Sequence, residues 1–189
     1  VGGRSVTRAQ DGGIASRAWV GSAAVLDNLT NNFTVSAWIR PDVLGGNRVI
    51  FGSSWEAYHG WSLRLAGAQL ALERLPGGTL TPGVAVTAGQ WAAVAVAYDS
   101  SNQASFYLNG LPLGTVTGGT AAARATDPWS IGANSGDRFD GLLDQVEISQ
   151  VARSSNWIWA AYQGARSNSA FACYGPVLPA GFPGDADRD

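Results

Sequence analysis

FTVSAWIRP, residues 33–41, alternates strictly: Phe33, Val35, Ala37 and Ile39 fall on one side, Thr34, Ser36, Trp38 and Arg40 on the other, and Pro41 closes the run. A period of two is what a strand with one buried face produces. Runs of the same kind recur outward from it, at 48–53, 60–65, 69–74, 91–98, 105–108, 113–116 and 142–148, each bounded by Gly, Pro, Asn or Asp. Short strands at regular spacing predict an all-β sandwich or barrel.

Local turn chemistry agrees. In SFYLNGLPLGTV (105–116), Asn109-Gly110 supplies the two positive-φ positions of a type I′ hairpin. Pro76-Gly77-Gly78 after LALERL predicts a second reversal of undefined type. One helix is expected near the C-terminus: Ser154 or Ser155 caps it, Trp157, Ala160 and Ala161 lie at helical spacing, and Gly164 ends it. GPVLPAGFPGDADRD, with Pro176, Pro179 and Pro183, has neither period and reads as a linker. The expected division is a domain over 1–175 and a tail over 176–189.

Composition sets the same class and excludes others. Of 189 residues, 14% are charged, 25 are glycine and 8 are tryptophan, which suits a turn-rich β protein and not a disordered chain. All 12 basic residues are arginines scattered singly from Arg4 to Arg188, and the net charge is −2, so nucleic acid is not an expected partner. No apolar run is long enough for a membrane-spanning helix. Without methionine or a leading apolar segment, the sequence reads as a processed or excised piece of a longer precursor. Cys173 stands alone and reads as a small buried hydrophobe.

Candidate chemistry is sparse. In the run 142–148, strict alternation puts Leu142, Asp144, Val146 and Ile148 on one face, so Asp144 would share the apolar side. A buried carboxylate must accept backbone hydrogen bonds, pair with arginine or ligate a hard cation such as calcium. Asp140 has the same parity and either adds a second oxygen to that cation or makes an Asx turn. Asp185, Asp187 and Asp189 alternate like the start of a calcium loop, without its later Gly and Glu. In SSWEAYHGW (53–61), Trp61 belongs to an alternating strand and reads as core, which leaves Trp55 and Tyr58 as the rings able to stack on a sugar. His59 is the sole histidine and reads as a loop residue.

Catalysis is not expected. Glu56, Glu73 and Glu147 are far apart, and strict alternation sets Asp144 and Glu147 on opposite faces, where they could not flank one glycosidic bond. No nucleophile elbow and no nucleotide-binding glycine motif occurs. Asn28-Leu29-Thr30 and Asn32-Phe33-Thr34 match glycosylation sequons and equally turn asparagines ahead of a strand.

FDGLLDQVEISQVARSSNWIWAAY (139–162) resembles the closing strand and helix of bacterial laminin-G-like jellyroll domains of the concanavalin A-like superfamily. FTVSAWIRPD, VIFGS, GWSLRL, QWAAVAVAYD, YLNGLPLG and WSIGAN follow in that family's order, so the resemblance spans about residues 14 to 175. It implies a two-sheet antiparallel jellyroll and a secreted or cell-surface module that binds glycans or proteins, often with calcium. The chain departs from the family's pattern at SRAWVGSAAVLDNLT (16–30), where an acidic, aromatic segment is commoner. The expectation is therefore a non-catalytic, carbohydrate-binding or adhesive module. The alternative is a structural subunit of an adhesin, filament or sheath that self-associates through strand edges or the tail.

Overall fold

A computed structural model describes residues 7–9, 18–21, 24–27, 29–53, 60–119, 129–134 and 136–166. The strands are β1 (Thr7–Ala9), β2 (Ala18–Gly21), β3 (Phe33–Pro41), β4 (Asn47–Ser53), β5 (Gly60–Ala66), β6 (Gln69–Leu75), β7 (Gly78–Leu80), β8 (Ala92–Tyr98), β9 (Gln103–Leu108), β10 (Leu111–Thr117), β11 (Trp129–Ile131) and β12 (Gly141–Ser149). They form two antiparallel sheets, sheet I in the order β1-β12-β3-β8-β9-β10 and sheet II in the order β2-β11-β4-β5-β6-β7. The expected jellyroll sandwich is what the chain forms.

Alternation explains the layers. In β3, Phe33, Val35, Ala37 and Ile39 are buried against sheet II, while Ser36, Trp38 and Arg40 are half-buried on the other side. Trp61, Leu63 and Leu65 of β5 and Leu70 and Leu72 of β6 answer from sheet II. Rings concentrate at the centre: Phe33 stacks on Trp61 with centroids 4.5 Å apart, Phe51 on Trp129 at 5.4 Å, and Trp61 meets Trp129 at 5.0 Å. Both indoles find acceptors, Trp61 Nε1 donating to the Leu29 carbonyl and Trp129 Nε1 to Asp27 Oδ1, each at 3.0 Å. Asp27, in the one-turn helix α1 (Ala24–Asp27), is thus a buried carboxylate with a partner.

The Asn109-Gly110 hairpin forms as expected, with φ of 52° and 76°. The Pro76-Gly77-Gly78 reversal joins β6 to β7. Helix α2 (Ser155–Arg166) is capped by Ser154, whose Oγ accepts from Trp157 N at 3.3 Å. It continues two residues past Gly164, and its buried face differs from the expected one. Ile158 packs on Ala95, Ala97 and Tyr107 on the outer face of sheet I, Tyr162 stacks on Trp38 at 5.7 Å, and Trp157 is 37% exposed. Gly110 lies so close to Tyr162 that a methyl there would meet the ring at 2.8 Å.

β12 corrects a second expectation. A bulge between Asp144 and Glu147, with Gln145 at φ 48°, adds one residue to the strand. Leu143 enters the core before it, and Val146 and Ile148 pack against the core after it. Asp144 pairs with Trp38 and Glu147 with Ser36, so both carboxylates stand on the outer face of sheet I, not on opposite faces.

Candidate functional site

With α2 laid over sheet I, the outer face of sheet II is the one that carries a polar network. It follows from sequence parity: Ser62 and Arg64 alternate with the core residues Trp61, Leu63 and Leu65, and Glu73 alternates with Leu72. Ser62 pairs with Glu73 across β5 and β6, which puts Arg64 one diagonal away. Ser62 Oγ donates to Glu73 Oε2 at 3.2 Å, Arg64 Nη1 lies 2.8 Å from Glu73 Oε1, and Arg64 Nη2 donates to Thr79 Oγ1 at 2.9 Å. Although they face away from the core, Ser62, Arg64 and Glu73 are only 2%, 6% and 7% exposed. Gly52 makes room beside them, since a methyl at that position would collide with Ser62 Cβ.

The network reaches the loop between β11 and β12. Asn134 Oδ1 accepts from Gly136 N at 3.3 Å and from Asp137 N at 2.9 Å, which fixes a turn that brings Asp137 Oδ2 to 3.9 Å from Arg64 Nη1. Beyond Asp137 lies a polar depression of about 560 Å³ lined by Gly45, Gly46, Asn47, Arg48, Asp137 and Arg138, among others. Gly67 N donates to the Gly46 carbonyl at 2.7 Å and so holds the glycine loop against the β5–β6 turn. Arg48 Nη1 donates to the Arg138 carbonyl at 3.3 Å, which joins the two walls.

The side chains singled out from sequence divide. Trp55, Tyr58 and His59 lie outside the described residues, as do Cys173, the tail 176–189 and the boundary at 175. Trp61 is core, 2% exposed. Asp144 is 5% exposed and its Oδ1 accepts from Gln145 N at 2.8 Å, one of the partners anticipated for it, although it lies on the outer face and not on the apolar side. Asp140 is half-buried, and its carbonyl accepts from Asp42 N at 2.8 Å. Calcium takes six to eight oxygens, and among the described residues no group of three or more His, Cys, Asp or Glu side chains converges around these two aspartates or elsewhere.

The sequence pattern of the family described as the concanavalin A-like lectin/glucanases superfamily matches residues 11–159. The chain belongs to that superfamily. No curated protein matches the chain by sequence. Solved structures of concanavalin A-like form do. Domain 4 of an extracellular arabinanase from Geobacillus stearothermophilus, in complex with arabinotriose, superposes with a TM-score of 0.61 at 20% identity, covering 86% of this chain and 89% of that one. A putative carbohydrate binding protein from Bacteroides ovatus gives 0.62 at 21%, over 76% of this chain and 43% of that one. The binding domain of botulinum neurotoxin DC, in complex with rat synaptotagmin II, gives 0.66 at 13%, over 82% and 41%. At such identities the likeness is one of fold. This concanavalin A-like domain spans less than half of the latter two chains, and these relatives are mostly binding domains.

Sequence reading missed Arg64 and Glu73. Each is a polar residue at the outward parity of a strand, which alone signals solvent. The available signal was the register of the β5–β6 hairpin through the tight turn at Gly67, which sets Ser62 opposite Glu73.

Proposed function

We propose that this chain is a non-catalytic carbohydrate-recognition module of a secreted or cell-surface protein, with the saccharide lying along the outer face of sheet II. The observation that carries the reading is the open polar depression at Arg48, Asp137 and Arg138, backed by the buried network of Ser62, Arg64 and Glu73 that holds Asp137 in place through Arg64. Saccharides are recognised by such pre-oriented, bidentate-capable polar side chains together with flat rings. Trp55 and Tyr58 are the proposed rings. They fall in the segment joining Ser53 of β4 to Gly60 of β5, at the other end of β4 from Arg48. The arabinotriose complex of the arabinanase domain and the carbohydrate binding protein of B. ovatus support a glycan as ligand. The synaptotagmin complex keeps an extracellular protein in view as a partner.

Binding without chemistry is favoured because Glu73 and Asp137 both face the Arg64 guanidinium instead of opposing each other across a gap. Asp144 and Glu147 share a face, but α2 packs over that face and Asp144 is held by its neighbour's amide. The self-association reading gains nothing from β10, one of the two edge strands of sheet I, which carries Pro112 and a register shift between Pro112 and Gly114 that disfavour edge pairing. A glycan-array assay on residues 1–189, run with calcium and with chelator, tests the proposal. Saturable binding to one glycan class supports it, loss of that binding in chelator would show that an ion takes part, and a blank array in both conditions overturns it.

A further inference from the structure

We propose that the depression between the Gly45-Gly46 loop and the 136–138 loop takes the anionic group of an acidic saccharide, with Arg48 and Arg138 as its cationic walls. The inference rests on the glycan-binding reading above and adds the ligand's charge class and its place on the surface.

Charge comes first. Two guanidinium groups, Arg48 and Arg138, and one carboxylate, Asp137, line the depression, and the Arg64–Glu73 pair stands behind Asp137. Arg64 is committed to Glu73 at 2.8 Å and reaches Asp137 only at 3.9 Å. Among the described residues neither Arg48 nor Arg138 has a carboxylate partner, and Arg48 is anchored instead by a backbone carbonyl. The five groups together carry an excess of one positive charge, in a chain whose net charge is −2. Guanidinium forks suit carboxylate and sulfate oxygens.

Unused hydrogen-bonding capacity comes second. Arg48 Nε and Arg64 Nε are buried donors with no hydrogen-bond partner among the described residues, and Asp137 Oδ2 is a buried acceptor held only by the 3.9 Å ion pair to Arg64, which is 6% exposed. These enclosed atoms fix the charge behind the depression and do not touch its contents; the exposed Arg138 guanidinium is the group a ligand's acceptor oxygens meet. A uronate, a sialic acid or a sulfated sugar carries such oxygens on a ring.

Room comes third. Methyl groups built on Gly45, Gly46 and Gly136 would meet nothing within 4 Å, so both walls are open backbone that a sugar ring can approach. The volume of about 560 Å³ lies within the range of small-molecule pockets.

The test is an array of acidic glycans, uronate-bearing, sialylated and sulfated, each paired with its neutral counterpart, read with the whole 189-residue chain and with Arg138→Gln and Arg48→Gln. Arg138 is exposed, so Arg138→Gln keeps the fold, as its melting temperature will show. The expected result is at least about tenfold tighter binding of the acidic member of one pair, lost in Arg138→Gln, with the three acidic arms separating carboxylate from sulfate. Equal binding of acidic and neutral partners would overturn this inference while leaving the glycan-binding reading intact. No binding to any glycan would overturn both. Displacement of the acidic glycan by an equal concentration of inorganic sulfate would reduce the depression to a simple anion site and overturn the saccharide assignment.

Discussion

The guanidinium carbon of Arg74 lies 3.9 Å from the ring centre of Tyr98, between the two sheets, with both side chains fully buried. Arg74 takes the inward parity of β6, where Leu70 and Leu72 stand before it, and its Nη2 donates to the Thr30 carbonyl. Phe33 offers a second ring face at 5.8 Å. Burial pulls the arginine below its ordinary pKa, and the neighbouring Tyr98 oxygen opposes that fall.

Arg74→Ala is expected to destabilise the fold by about 3 kcal/mol, because it opens a cavity among rings and strips the Thr30 carbonyl of its donor. Arg74→Met fills most of the volume without charge and should recover at least half of the loss. Urea denaturation measures both. Equal losses for the two variants would show that packing contributes little.

Tyr98 sets an alkaline limit. Burial pushes its hydroxyl above the ordinary tyrosine range, with the Arg74 guanidinium pulling the other way and Asp99 adding to the rise. An acid whose folded pKa is raised contributes stability that is complete below the unfolded value, about 10, and is lost as pH climbs through the folded one. Stability should therefore fall above about pH 10, less steeply in Tyr98→Phe. Ultraviolet titration should show one tyrosine ionising after the others, and its absence in Tyr98→Phe assigns it.

Asp144 is expected to act through Gln145 N. Asp144→Asn keeps an acceptor and should cost under about 1 kcal/mol, while Asp144→Ala should cost about 1–3 kcal/mol. Thermal melts in calcium and in chelator check the reading. A calcium-dependent rise in melting temperature that disappears in Asp144→Asn would show an ion there instead.

Gly52→Ala should disturb the site more than its one added methyl suggests. The new Cβ would collide with Ser62 Cβ and press on the Trp61 carbonyl, in a part of β4 and β5 where backbone must yield. A loss of about 1–3 kcal/mol and weaker glycan binding are expected. Calorimetry and the array read these together, and an unchanged melting temperature would contradict the tight approach of the two strands.

Glu73→Gln removes the anion that orients Arg64 while keeping a group able to meet Ser62. It should weaken saccharide binding by about tenfold and also cost about 3 kcal/mol of stability, since it leaves the buried Arg64 guanidinium without its counter-charge. Parallel binding and denaturation measurements separate the two effects.

The layers of the sandwich were legible because β3, β5, β6 and β8 alternate cleanly and Asn109-Gly110 admits one kind of turn. β1, β2, β7 and β11 were not, because strands of three or four residues give no period to read. Arg74 hid for the opposite reason: a charge at an inward position looks like an error of phase until two rings and a carbonyl are seen around it. The polar face at Arg64 and Glu73 depends on cross-strand register, and the depression depends on two loops far apart in sequence, neither of which local pattern encodes.

The single extra residue at Gln145 divides β12 into two reading frames. Leu143 is written in one, Val146 and Ile148 in the other, and only the left-handed kink reconciles them. Deleting Gln145 would act as a second frameshift that cancels the first: Val146 would follow Asp144 directly, Leu143, Val146 and Ile148 would share one unbroken inward frame, and Asp144 and Glu147 would keep the outer face. An alignment that crosses this point without a gap will therefore match surface positions of β12 to core positions of a bulge-free relative.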